Sequence, residues 1–242
     1  MKIMIVRHGD PDYSIDGLTE KGEHEALLLS NRLVKEKITK LYCSTLGRAR
    51  LTAQPTLDRT GLVAEYCEWL REFDYAKVKF PYIEREKCCW DVLPSYANTI
   101  PELYSPTEWK NAEFLRGTGV PAAYDNVISE LDRVLAEHGY RRNGSIYTAE
   151  APNHDTLVFV CHFGLAAVLL SHLMNCSPYS IWQHGVALTT SVTTFYTEER
   201  EEGIAHFRCC GFSDISHLYA ADEPPAFAAR FCECFTDDTR HH

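Results

Sequence analysis

The chain has 242 residues, enough for one large hydrophobic core and short for two ordinary domains. With 45% hydrophobic, 12% aromatic and 24% charged residues, its composition is that of a globular protein and excludes disordered, collagen-like and coiled-coil architectures. The net charge of −10 repels polyanions and gives no counterion-release drive toward nucleic acid, although Met1–Arg50, with nine Lys and Arg against seven Asp and Glu, carries +2 by itself and leaves room for a local anion site.

Met1–Val6 is a strand-length apolar run before Arg7, too short for a signal peptide. No uninterrupted apolar stretch approaches the roughly 18–20 residues that span a bilayer, so the chain is read as cytoplasmic, with no membrane partner. Ten cysteines in a chain of this size without an export signal are read as reduced thiols. The pairs Cys88-Cys89 and Cys209-Cys210 and the Cys232-x-Cys234 run lack the paired C-x₂-C spacing of a structural zinc site, and neither metal nor cofactor is expected.

In chain order, Ile3–Val6 reads as a buried strand. Thr19 is placed to cap a helix running to about Lys35, with Ala26, Leu29 and Leu33 near one face. Lys40–Cys43 is a second strand, Ser44 a candidate cap, and a second helix starts near Gly47 with Pro55 as a kink point. Leu62–Cys67 reads as a third strand. From Phe73 to Val120 the periodicity dissolves among four prolines, Trp90, Trp109 and many tyrosines, and this stretch is read as an insertion or cap whose aromatics form its own small core. Pro121–His138 is helical, with Val127, Leu131, Val134 and Leu135 in register and Gly139 as its stop. Thr156–Cys161 is an apolar strand followed by a helix to about Met174, and Val186–Tyr196 and Ile204–Gly211 are late strands, joined as a hairpin. The pattern predicts an α/β fold: a three-layer α/β/α sandwich around a mostly parallel sheet, one domain over 1–242 with 73–120 inserted as a cap.

In such sheets ligands bind beyond the carboxyl ends of the strands. Arg7-His8-Gly9 follows the first strand and His162-Phe163-Gly164 the late apolar one, so neighbouring parallel strands would bring both imidazoles to one rim. Neutral His is a competent nucleophile near neutral pH and Arg offers planar paired donors to phosphate oxygens. Ser44-Thr-Leu-Gly-Arg48-Ala-Arg50 adds a turn into a helix N-terminus, where backbone N–H groups favour an anion.

These features together resemble the histidine phosphatase superfamily, with its phosphoglycerate-mutase-like fold, over most of the chain outside Phe73–Val120. The motifs that carry the resemblance are Arg7-His8-Gly9, Leu18-Thr19-Glu20-Lys21-Gly22, Cys43–Ala53 around Arg48, Leu70-Arg71-Glu72 and Cys161-His162-Phe163-Gly164. The resemblance implies a phosphomonoesterase acting on a small phosphorylated metabolite without a metal. His8 would be the nucleophile, Arg7, Arg48 and His162 the phosphate clamp, and Glu72 the general acid and base, with Arg50, Gly9 and Ser14 as further substrate contacts. Asp10-Pro11-Asp12-Tyr13-Ser14 departs from the family's acidic-Thr and Trp-Asn pattern, Phe163 stands where Gly is frequent, and Asp74-Tyr75-Ala76 replaces a Gly-and-Trp stretch. Asp214 and His217 are given local structural roles. The alternatives are a phosphoglycerate mutase-type phosphotransferase, disfavoured because residues 73–120 hold no adjacent arginine pair, and a catalytically silent phosphate-ligand sensor. Exposed aromatics and sheet edges leave room for a homodimer.

Overall fold

A computed structural model describes residues 1–74, 77–228 and 230–237. Eight strands form one sheet: β1 (Lys2–Arg7), β2 (Lys40–Ser44), β3 (Glu65–Cys67), β4 (Tyr140–Asn143), β5 (Ile146–Ala149), β6 (Thr156–Cys161), β7 (Val192–Glu201) and β8 (Ile204–Asp214). They lie in the order β3-β2-β6-β1-β7-β8-β5-β4. The pairings from β3 to β1 are parallel and those from β1 to β4 antiparallel, so six of the eight strands point the same way. β6 sits between β1 and β2, with Arg7 opposite Cys161 and Cys43 opposite Val160, which aligns the carboxyl ends of the three strands.

Alternation along these strands feeds two cores. Met4, Val6, Leu41, Cys43, Val158 and Val160 face helices α1 (Glu20–Leu33) and α2 (Gly47–Thr60), which contribute Leu29, Leu33, Ala49, Ala53 and Leu57. Ile3, Ile5, Tyr42, Leu157, Phe159 and Cys161 face the other way, against α3 (Val120–Glu137) and α4 (Phe163–Met174). The three-layer α/β/α sandwich is therefore present. Thr19 caps α1, its hydroxyl accepting from the Gly22 N–H at 3.0 Å.

Several boundaries differ from the sequence reading. α2 is entered through Leu46 and continues past Pro55 to Thr60; Ser44 lies two residues earlier, and its hydroxyl is turned to His162. The third strand starts at Glu65 and the late strand at Val192, because 186–191 is a loop held by hydrogen bonds around β1 rather than by a ladder. The β4–β5 hairpin and helix α5 (Pro178–His184) had no clear periodic signal. Residues 77–120 form short turns, a two-residue ribbon and a four-residue helix (Pro94–Ala97). Phe80, Leu103, Trp109 and Leu115 of this stretch are buried in the same core as α3 and α4, not in a separate small core, since the segment has too little apolar area to close on itself. All ten cysteines are free thiols. Among the described residues no helix is long and apolar enough to cross a membrane.

Candidate active site

β1 delivers Arg7 and then His8 to the rim, and β6 delivers His162 beside them. The two imidazole centroids are 5.1 Å apart at 55°. His8 Nδ1 lies 2.7 Å from the Gly9 carbonyl oxygen, which can only accept, so Nδ1 carries the proton and Nε2 keeps its lone pair. Burial and the charges of Arg7 and Arg48 push the His8 pKa well below the usual imidazole value, and burial with His8 and the same two arginines does the same to His162. Both rings are therefore neutral near pH 7. His162 Nε2 is paired with Ser44 Oγ at 2.7 Å, while its buried Nδ1 has no partner among the described residues.

Arg7 is 2% exposed, its Nη1 donating to the carbonyls of Ala187 (2.7 Å) and Ala228 (3.1 Å). Arg48, in the first turn of α2, is ion-paired with Asp16 at 2.5 Å, and Asp16 also accepts from the Gly47 N–H at 2.7 Å. Asp16 adopts a left-handed backbone (φ +49°), a conformation that aspartate tolerates. The Nε groups of both arginines are buried and lack an acceptor among the described residues. With His162 Nδ1 they make three buried polar nitrogens around one rim, a donor set suited to a tetrahedral oxyanion.

Glu72 approaches from the stretch after β3. Its Oε1 accepts from the N–H groups of Phe73 (2.8 Å) and Leu165 (3.0 Å), at the N-terminus of α4. Burial raises the Glu72 pKa; the backbone donors and Arg7 oppose the shift without cancelling it. Gly164 is required beside it: a Cβ there would stand 2.7 Å from Trp90 Nε1 and 2.8 Å from Glu72 Oε1. From the 77–120 stretch Trp90 reaches this carboxyl group, its indole N–H donating to the Phe73 carbonyl (3.1 Å) and its ring edge-on to Phe163 (5.8 Å).

The loop after His8 is held at close quarters. The Gly9 N–H donates to Thr52 Oγ1 (2.9 Å), whose hydroxyl donates to the Arg48 carbonyl (2.7 Å), joining the two arginine-bearing segments. Glu25 on α1, wholly buried, accepts from the Asp10 N–H (2.9 Å), the Thr189 hydroxyl (2.8 Å) and the Ala226 N–H (3.1 Å). It ties the nucleophile loop, the 186–191 loop and the C-terminal segment to one carboxyl group, and burial raises its pKa.

Arg7, His8, Gly9, Arg48, Glu72 and His162 thus converge. Two expected contacts do not join them. Arg50 is exposed and stacks over Tyr66 at 4.9 Å, because two residues along a helix rotate a side chain by about 200° from Arg48. Ser14 is exposed, its N–H and hydroxyl both donating to Asp12 Oδ1 at 2.9 and 2.6 Å, a local turn that uses up the side chain. Asp214 and His217 have the local roles expected: Asp214 pairs with Arg32 at 2.8 Å and His217 with the Thr190 hydroxyl at 3.1 Å. Glu25 and Asp16 were missed because a single carboxylate carries no spacing signal.

The model of the histidine phosphatase superfamily (branch 1) matches residues 3–209. The chain belongs to this superfamily. Among its relatives, the adenosylcobalamin/alpha-ribazole phosphatase of Salmonella typhimurium is 26% identical over 198 residues, covering 77% of this chain and 86% of that protein. Phosphoserine phosphatase 1 of Hydrogenobacter thermophilus is 22% identical over 213 residues, covering 84% and 90%. The phosphoserine phosphatase of Entamoeba histolytica, solved in complex with phosphoserine, shares the fold with a TM-score of 0.59 at 19% identity, over 90% of this chain and 98% of that one.

Proposed function

We propose that the chain is a phosphomonoesterase that hydrolyses a small phosphorylated metabolite through a phosphohistidine on His8. The observation that carries this reading is the neutral His8 imidazole, its Nδ1 proton anchored on the Gly9 carbonyl and its Nε2 lone pair without a partner among the described residues, beside Arg7, Arg48 and His162. Nε2 attacks phosphorus and forms the N–P bond as the P–O bond to the leaving group breaks. Glu72, whose pKa burial raises, gives its proton to the departing oxygen. The two guanidinium groups and His162 hold the non-bridging oxygens as charge shifts. Water then attacks phosphorus, Glu72 takes its proton, the N–P bond breaks, and inorganic phosphate leaves. Positive charge from the side chains suffices for this sequence without a metal. Residues 73–120 form the cap that shapes the leaving-group side, with Trp90 as its contact with the site.

A mutase-type transfer would need further cations to hold a second anionic group of the substrate. The adjacent arginines of the chain, Arg141 and Arg142, lie on β4 at the far edge of the sheet, engaged with Glu150 and with Gly144 and Tyr147. The test is hydrolysis of p-nitrophenyl phosphate and a panel of sugar, amino-acid and nucleoside phosphates in EDTA, with acid-labile ³²P trapped on the enzyme. Turnover in EDTA that His8→Ala abolishes is the expected result. Turnover only on metal addition, or unchanged in His8→Ala, refutes the reading, and phosphoester binding without label or phosphate release would make the chain a sensor instead.

A further inference from the structure

Tyr13 lies between the two short strands, Pro11–Asp12 and Gly17–Leu18, that pair directly after the nucleophile. Its side chain is 70% exposed, which alone says little; its position says more. The Arg48 guanidinium stands 5.4 Å from the ring centroid, so the ring covers the outer side of one clamp residue. The Tyr13 hydroxyl has no hydrogen-bond partner among the described residues, although the loop that carries it is well rooted. Ser14 is folded onto Asp12 on one side, and Asp16 is fixed to Gly47 and Arg48 on the other. A phenol whose O–H has no partner among the described residues is thus held beside the Arg48 guanidinium, whose Nε, like that of Arg7, is buried and lacks an acceptor among the described residues.

We propose that the Tyr13 phenol is a substrate-binding group that donates its O–H to a non-bridging oxygen of the phosphoryl group held between Arg7 and Arg48, closing the outer face of the site over the ester. The assignment rests on the phosphatase reading and deepens it. A bond from a neutral donor to an anionic oxygen is of the stronger kind, and its loss corresponds to about a 10- to 100-fold weaker complex. The accepting oxygen is present in substrate, transition state and product alike. The effect therefore falls on KM and on the inhibition constant for inorganic phosphate, by one common factor for every ester, and leaves kcat nearly unchanged.

The experiment compares the wild type with Tyr13→Phe, which keeps the ring over Arg48 and removes only the hydroxyl, and with Tyr13→Ala, which removes both. Inorganic phosphate binding is measured by calorimetry, and KM and kcat for p-nitrophenyl phosphate and one sugar phosphate. The expected result is a loss of about 10-fold or more in phosphate affinity for Tyr13→Phe, equal shifts in both KM values, and at least as large a loss for Tyr13→Ala. Unchanged phosphate affinity in Tyr13→Phe overturns the assignment, as does a KM shift confined to one ester, which would place the phenol on the leaving group. If the wild type turns over no ester, the phosphatase reading fails, while the calorimetric comparison still decides the contact.

Discussion

Replacing Glu72 by Gln separates the acid from everything else in the site. The carboxylate accepts two backbone N–H bonds through Oε1, from Phe73 at 2.8 Å and Leu165 at 3.0 Å, and an amide oxygen can accept both. For the protonated acid that acts as donor, Oε1 is already a neutral acceptor and no charge is buried, so the amide keeps both bonds at neutral strength. The melting temperature should therefore move by no more than about 4 °C, the equivalent of about 1–2 kcal/mol in a chain of this size. Chemistry should change far more. Without a proton donor, expulsion of an alkoxide from a sugar phosphate should slow by roughly 10²–10⁴-fold, the usual contribution of general acid catalysis. p-Nitrophenolate, a much weaker base, leaves without help, so phosphorylation by its ester should slow distinctly less. Rapid-quench measurement of single-turnover phosphoenzyme formation with both substrates reads the difference. Equal losses with the two esters would refute the role of Glu72 and pass it to Asp74, the next carboxylate in the same stretch.

The competent free enzyme needs His8 neutral and Glu72 protonated; the first pKa is depressed below 6.5 and the second raised above 4.5, so kcat/KM for a sugar phosphate should fall as pH rises through the raised Glu72 pKa, with His8 still neutral there. A profile still rising at pH 8 would contradict this. Because the folded-state pKa of Glu25 is raised by burial, its contribution to stability is fully present below 4.5 and is lost as pH rises through the folded value. Urea unfolding should therefore show Glu25→Gln gaining on the wild type as pH rises across that window, and a pH-independent gap would be the wrong outcome. Glu25→Leu leaves three donors of three segments without their acceptor and should cost about 3–5 kcal/mol, read from the same unfolding curves. Gly164→Ala drives a methyl into Trp90 and Glu72 and should destabilise by about 1–3 kcal/mol while slowing hydrolysis; wild-type kcat in a fully stable variant would show that the contact relaxes freely.

The sequence by itself determined the parts of this protein whose signal is local. Thr19 three residues before Gly22, the apolar run Thr156–Cys161, and the helical spacing of Val127, Leu131, Val134 and Leu135 each specify an element through contacts only a few residues apart. Arg7-His8 and His162 could be assigned to one rim because a strand end is a local feature and parallel strands share a direction. Only the tertiary structure decided what depends on partners far along the chain. The charge state of His8 comes from its burial with Arg48, 40 residues along the chain, and the anchoring of the nucleophile loop comes from Glu25, 15 residues from Asp10 but 164 from Thr189 and 201 from Ala226. Arg50 and Ser14 parted from the site through nearer geometry, a helix turn that carries Arg50 round to Tyr66 and a turn that folds Ser14 onto Asp12. Which way a side chain turns is settled by what already occupies the space around it, here the Tyr66 ring and the Asp12 carboxylate, and neighbourhood of that kind has no period in the sequence.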